Sequence, residues 1–163
     1  RETSGIEYAN TEMFKNAKFI ITPTESNTKE AIDFCHDLAY TLHFNHIAIL
    51  TCEEHDYMIA FLSQLCHMIA VSLMNTHDNS HLVEYTGDSF RDLTRIACIN
   101  ENMWTELFLL NKDILLDETN QFIDSISHFR DALQNEDTEE MKRLFVQSTK
   151  RRKMFNTNDK RKR

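Results

Sequence analysis

Glycine and proline are nearly missing from this sequence, which has 2 and 1 of them in 163 residues. Sandwiches and barrels need many tight turns, so both are excluded, as are collagen-like, linker and low-complexity chains. There is no G-x-G-x-x-G and no G-x-x-x-x-G-K-[ST]. With Gly5 and Gly87 alone no phosphate-cradling loop can be built, and any nucleotide must be held by another segment. The cysteines, Cys35, Cys52, Cys66 and Cys98, form no C-x-x-C pair. They are expected to be free thiols in a reducing compartment. Uninterrupted apolar runs stop at about five residues, as in Met58 to Leu62, against about 20 for a bilayer. Arg1 to Lys18 has no apolar signal core. Neither a span nor a leader is expected, and the opening arginine reads as that of a truncated or processed chain.

What is present fits one domain, or one domain with a fragment of a neighbour. Apolar residues make up 41% and charged residues 27%, as in ordinary soluble proteins. The net charge of -8 is uneven: Lys150 to Arg163 carries +7, leaving about -15 on the rest. An acidic body argues against nucleic acid as the main partner, although the basic tail keeps polyanion binding open as a weaker alternative.

Lys18 to Thr22 is a short β-branched run stopped by Pro23, and His46 to Leu50 is another. Between them, Thr28 to Phe44 carries a helical apolar stripe that Asn27 or Thr28 can cap. Strands joined by a crossover helix are expected to be parallel. Two strands alone are not a stable sheet, so further strands are expected in a segment outside this sequence. From Thr51 onward the pattern is helical. Thr51 to Glu54 forms a capping box opening a helix to about Asn75, expected to be buried along much of its length. A polar connection spans His77 to Tyr85. Helices are expected over Ser89 to Cys98, Glu101 to Leu116 with a small break before Glu118 to Leu133, and Asp137 to Phe155. Phe108, Leu115, Phe122 and Phe129 recur every seven residues, the spacing either of a bundle core or of a dimer seam.

The most informative stretch is Ser89 to Arg95. Arg91 and Arg95 stand four apart, so they share a helix face, and both are expected in the first two turns, where the macrodipole disfavours cations. Local pairing with Asp88 and Asp92 is one explanation. A bound carboxylate or phosphate is the other, since the planar guanidinium fork suits it. His67 lies on the apolar helix with Ser63 and Gln64 three or four residues before it. That grouping is either a hydrogen-bonded core position or a polar patch facing a cavity. His77 and His81 have metal-compatible spacing but no third ligand nearby.

In order, Glu2-Thr-Ser-Gly-Ile-Glu7, Phe19-Ile-Ile-Thr-Pro-Thr24, Glu54-His-Asp56, Phe90-Arg-Asp-Leu-Thr-Arg-Ile-Ala97 and Asn102-Met-Trp104 run along the chain. This ordered set resembles the monofunctional prephenate dehydrogenases of tyrosine biosynthesis, from about Arg1 to Phe155. The resemblance implies a mainly α fold: a helical dimerisation domain of the 6-phosphogluconate dehydrogenase C-terminal type, preceded by a β-α-β remnant of a Rossmann domain. Residues 1–50 would close the nucleotide-binding domain, 51–155 would form the helical domain, and 156–163 a basic tail. The implied reaction is oxidative decarboxylation of prephenate to 4-hydroxyphenylpyruvate with NAD or NADP, in a cytoplasmic homodimer, with tyrosine inhibition left open. The family's catalytic histidine lies in an H-P-x-x-G segment that would end before Arg1, so this chain alone is not expected to turn over prephenate. Carried over by motif, Arg95 would bind a substrate carboxylate and His67 would lie against the substrate. Arg91 would sit at the pocket rim, Glu2 near the entrance, and Trp104 near the site and the dimer contact. Ser63 and Gln64 belong to the same S-H-x-x-H motif, whose first histidine is Gln64 here and whose proline is Cys66. Asp88 puts a negative charge where an anion would pass. A diverged, non-catalytic helical interaction module is the alternative.

Overall fold

The computed structural model describes residues 6–15, 17–78 and 81–160. The chain divides into two units, Arg1–Leu116 and Asp117–Arg163.

The first unit begins with strand β1 (Lys18–Ile21), helix α1 (Lys29–Thr41) and strand β2 (His46–Ile49). The strands pair in parallel, Lys18 opposite His46 through Ile21 opposite Ile49, as the crossover helix requires. Thr28 caps α1, its hydroxyl accepting the Ala31 N–H at 3.3 Å. The Glu30 carboxyl lies below its ordinary range because a first-turn backbone N–H and the Thr28 hydroxyl bond it. At the other end His43 takes φ 62°, the left-handed region, and Phe44 N–H reaches the Ala39 carbonyl at 3.1 Å. That turn delivers Phe44 between the rings of Phe14 and Phe19, at 5.0 and 4.9 Å. Phe34 and Tyr40 on α1 stay 67% and 75% exposed. Two strands cannot cover such a helix.

The expected capping box is present: the Thr51 hydroxyl accepts the Glu54 N–H at 3.1 Å, and Glu54 accepts the Thr51 N–H at 2.8 Å. It opens α2 (Cys52–Ile59), which runs through a π-helical turn (Ala60–Gln64) into α3 (Leu65–Met74). Two expectations change here. Counting uninterrupted apolar runs understated this helix, which by length and composition is long and apolar enough to cross a bilayer. Its interior Gln64, however, is buried and bonded to protein on both ends, as in a helix packed within a domain. Nor is the helix buried along most of its length. Ala60, Gln64, Leu65 and Ala70 are buried, whereas Tyr57, Met58, Phe61 and Leu62 are exposed.

The single helix expected over Ser89 to Cys98 is two elements, α4 (Asp88–Thr94) and a 3-10 turn (Arg95–Ala97). Thr94 takes φ -101° and ψ -3°, and its hydroxyl donates to the Phe90 carbonyl at 2.7 Å, tightening the helix there. Helix α5 (Glu101–Leu110) is followed directly by α6 (Lys112–Gln134), so the break falls at Asn111 rather than near Leu116.

In the second unit α6 ends and α7 (Thr138–Lys160) returns, running past Phe155 into the basic segment. The reversal is made by Glu136 at φ 52°, with Asp137 N–H on the Ala132 carbonyl at 2.8 Å. Phe129 and Phe145 meet at 5.7 Å. Glu140 accepts from His128 and from Arg143, each at 2.6 Å, and these bonds pull its carboxyl from 4.5 down to about 2, Arg143 being the larger cause. Of the heptad-spaced residues, Leu115 is buried and Phe108, Phe122 and Phe129 are half-buried, while Ile126 and Leu133 are exposed.

Candidate functional site

His67 stands on the first turn of α3, directly after the π turn. Its Nδ1 lies 2.9 Å from the Ser63 carbonyl oxygen. A carbonyl only accepts, so Nδ1 carries the proton and Nε2 is the lone-pair nitrogen of the neutral ring. The imidazole lies on Trp104, ring centroids 3.8 Å apart and planes 31° apart. Trp104 in turn meets the edge of Phe108 at 5.6 Å. Asn100 fixes the start of α5, its side-chain oxygen accepting the Met103 N–H at 2.9 Å, one residue before the tryptophan.

Gln64 does not line the same surface as His67. It is 3% exposed, its Nε2 donates to the Leu107 carbonyl at 3.0 Å, and its Oε1 accepts from Asn111 Nδ2 at 2.9 Å. Asn111 Nδ2 also donates to the Asp56 carbonyl at 3.0 Å. Of the Ser63, Gln64, His67 trio, Ser63 contributes its carbonyl, Gln64 points into the helix packing, and His67 is half-buried beside the tryptophan. Asn111 was not singled out from sequence. The signal was there, an asparagine interrupting the apolar run Leu109-Leu110 before Lys112. The π turn has no comparable signal, although the Cys66 thiol reaching back to the Phe61 carbonyl at 3.7 Å marks where the helical ladder is loosened.

Arg95 opens the 3-10 turn that packs against α3, the helix carrying His67, and α4 packs on α3 as well. Both Arg91 and Arg95 are exposed. Arg91 does not stand at a helix start, contrary to the expectation from sequence. Helix α4 is seven residues long and Arg91 lies in its last turn, where the macrodipole favours a cation. No stored repulsion at a helix start remains to be explained. Asp88 occupies the first turn and suits the positive end of the same dipole. Glu2 lies outside the described residues.

The family model of the prephenate dehydrogenase dimerization domain matches residues 51–147. The chain belongs to that family. Prephenate dehydrogenase of Bacillus subtilis is 33% identical over 87% of this chain and 39% of its own length. Cyclohexadienyl dehydrogenase of Zymomonas mobilis is 27% identical over 96% of this chain and 55% of its own. The chain therefore spans roughly half, or less, of these curated relatives. The crystal structure of prephenate dehydrogenase from A. aeolicus, in complex with hydroxyphenyl propionate and NAD+, superposes with a TM-score of 0.85. It shares 27% identity over 95% of this chain and 56% of that one. The mainly helical architecture with a short parallel strand pair at its start is that of the prephenate dehydrogenase C-terminal region.

Proposed function

We propose that this chain is the C-terminal part of a prephenate dehydrogenase, supplying the substrate-carboxylate site and the dimer contacts for oxidative decarboxylation of prephenate to 4-hydroxyphenylpyruvate. In this reading residues 1–50 complete a nucleotide-binding domain, 51–155 form the helical domain, and 156–163 are a basic tail. The observation that carries the reading is the stack of His67 of α3 on Trp104 of α5, with the turn that starts at Arg95 packed on α3 as well. Prephenate has two carboxylates and a flat ring. A guanidinium pair, an imidazole with its Nε2 facing away from the Ser63 carbonyl and an indole face answer those features in kind.

Within this chain Arg95 grips one carboxylate and Arg91 steers the anion from the rim. His67 presents Nε2 to the bound molecule, and Trp104 forms the apolar wall that excludes water. Ser63 fixes the tautomer, Gln64 acts from behind the site, and Glu2 stands near the entrance. Among the described residues no loop fits the phosphates of a dinucleotide. Gly87 precedes the seven-residue α4 with nothing within 4 Å of where a Cβ would stand, so no group is cradled close to its backbone, and β1 leads to Pro23 instead of a glycine turn. Hydride transfer thus belongs to a segment outside this sequence that binds NAD or NADP. A cytoplasmic homodimer completes the proposal, with tyrosine as a candidate inhibitor.

The test uses the enzyme in which this chain is joined to its nucleotide-binding part. Arg95→Ala should raise KM for prephenate by about 10-fold or more, because a hydrogen bond to a charged group contributes roughly 1.5–3 kcal/mol. Unchanged kinetics would remove Arg95 from the site.

A further inference from the structure

We infer that Asn111 is a positioning residue for the substrate wall, acting through Gln64 to hold His67 against Trp104. The inference rests on the proposed site, but its geometry stands on its own residues. Gln64 and His67 are three apart on one helical run, and Trp104, Leu107 and Asn111 recur along one face of α5 and its end. The contacts pair antiparallel: His67 with Trp104, Gln64 with Leu107 and Asn111, Asp56 with Asn111.

Three hydrogen bonds make this cross-tie. The Gln64 amide gives its N–H to Leu107 and takes one from Asn111, and Asn111 splits its two N–H groups between Gln64 and Asp56. Gln64 is almost fully buried, so water cannot substitute for a lost partner. The stack itself has no such tie. Among the described residues His67 is hydrogen-bonded along its own helix, to Ser63, and its ring meets Trp104 at a 31° tilt. A ring contact tolerates sliding, whereas a paired amide fixes register. The π turn adds to the need for a tie, because it inserts one residue between the capped start of α2 and His67 and so leaves the azimuth of α3 to be set by its neighbours. Asn111 is also the joint between α5 and α6, so the side chain that ties α5 to the π turn stands where α5 stops.

The test needs variants that remove the tie without emptying the space. Gln64→Met with Asn111→Leu keeps similar shapes and removes both side-chain amides together; the Asp56 carbonyl keeps its Ala60 N–H and the Leu107 carbonyl, on a part-exposed residue, is the group left to water, so folding should be retained. The ligand-free readout is the ring-current displacement of the His67 C–H signals by Trp104, the only tryptophan in the chain. Those signals are assigned by their loss in His67→Gln, and Trp104→Leu gives the unstacked position. In the double variant the displacement should at least halve while helix content is kept. In the complete enzyme KM for prephenate should rise by about 10-fold with kcat changed far less, as for misplaced binding groups. A folded double variant with the full displacement would overturn the inference. If the double variant does not fold, Asn111→Asp, which keeps the shape and loses both donors, carries the same readout and the same two outcomes. Loss of the stack with unchanged KM would leave Asn111 in its positioning role and refute the proposed site instead.

Discussion

Glu136 offers the sharpest test of how this chain manages without glycine. It closes α6 in the left-handed region at φ 52°, with Glu136 N–H on the Leu133 carbonyl at 3.1 Å and Asp137 N–H on the Ala132 carbonyl at 2.8 Å. That is the double-bonded helix end in which glycine is normally found. For an L-residue the conformation costs about 1–2 kcal/mol, from Cβ crowding the following carbonyl. Glycine removes that cost but loses more freedom on folding, roughly 0.5–1 kcal/mol. Glu136→Gly should therefore stabilise the fold by about 0.5–1 kcal/mol. For a chain of this size that raises Tm by about 1–4 °C. The carboxylate complicates the comparison, since an acid at a helix C-terminus is disfavoured by about 0.3–1 kcal/mol. Glu136→Ala separates the two effects, because it deletes the charge and keeps the Cβ. Urea unfolding at fixed protein concentration is the assay, since association would move the midpoint. The reasoning fails if alanine stabilises as much as glycine, or if glycine destabilises.

Two further outcomes follow from the surface. The Glu140 carboxyl is held at about 2 against 4.5 by Arg143 and His128, so its contribution is complete above about 4.5 and drains away as the pH falls towards 2. The stability gap between the natural chain and Glu140→Gln should accordingly be constant near neutrality and close on acidification, followed by thermal unfolding in circular dichroism; a gap that widens in acid refutes it. Leu110, 77% exposed at the end of α5, should weaken self-association when changed to Asp, by about 10- to 100-fold in Kd if it is fully covered in the proposed dimer. Phe34→Asp on α1 should not, and equal losses in sedimentation would show that the two faces do not have separate partners.

Local chemistry made much of the fold legible. Thr28 and Thr51 announce α1 and α2 because a hydroxyl at that position satisfies an N–H that the helix cannot. Pro23 and the β-branched residues before it announce β1 for equally local reasons. What was illegible depends on partners far along the chain. The turn at residues 60–64 widens to a π-helix in a run whose composition is ordinary helix. Gln64 reads as part of a polar patch until Leu107 and Asn111, more than forty residues away, take its amide inward. The break near Leu116 was misplaced because apolar periodicity continues through Asn111, and only the bonds of that side chain reveal the joint. Arg91 was assigned to a helix start because nothing in the sequence signals that α4 ends at Thr94.

Most of the burial that this composition calls for is not met inside the chain. Among the described residues the buried apolar side chains are Ile21, Ala39, Ala60, Leu65, Ala70, Leu115 and Ala132. Four of these are alanines, which let backbones approach but contribute little transfer free energy. The large side chains that would supply it lie outward in rows: Tyr57, Met58, Phe61 and Leu62 on the first long helix, Met103, Leu107 and Leu110 on α5. Each would contribute about 1.5–3 kcal/mol if covered. Rows at helical spacing on adjacent elements are the surface that a second copy of a dimerization domain would occupy. The exposed Phe34, Tyr40 and Ile49 have a different origin, since they flank a two-stranded sheet that needs more strands to be stable. The two deficits are thus of different kind, one at the sheet and one along the helices, and the proposed homodimer answers the second. The cross-tie at Gln64 and Asn111 lies on the helical side, where it holds the packing of α5 on α3 from within the chain.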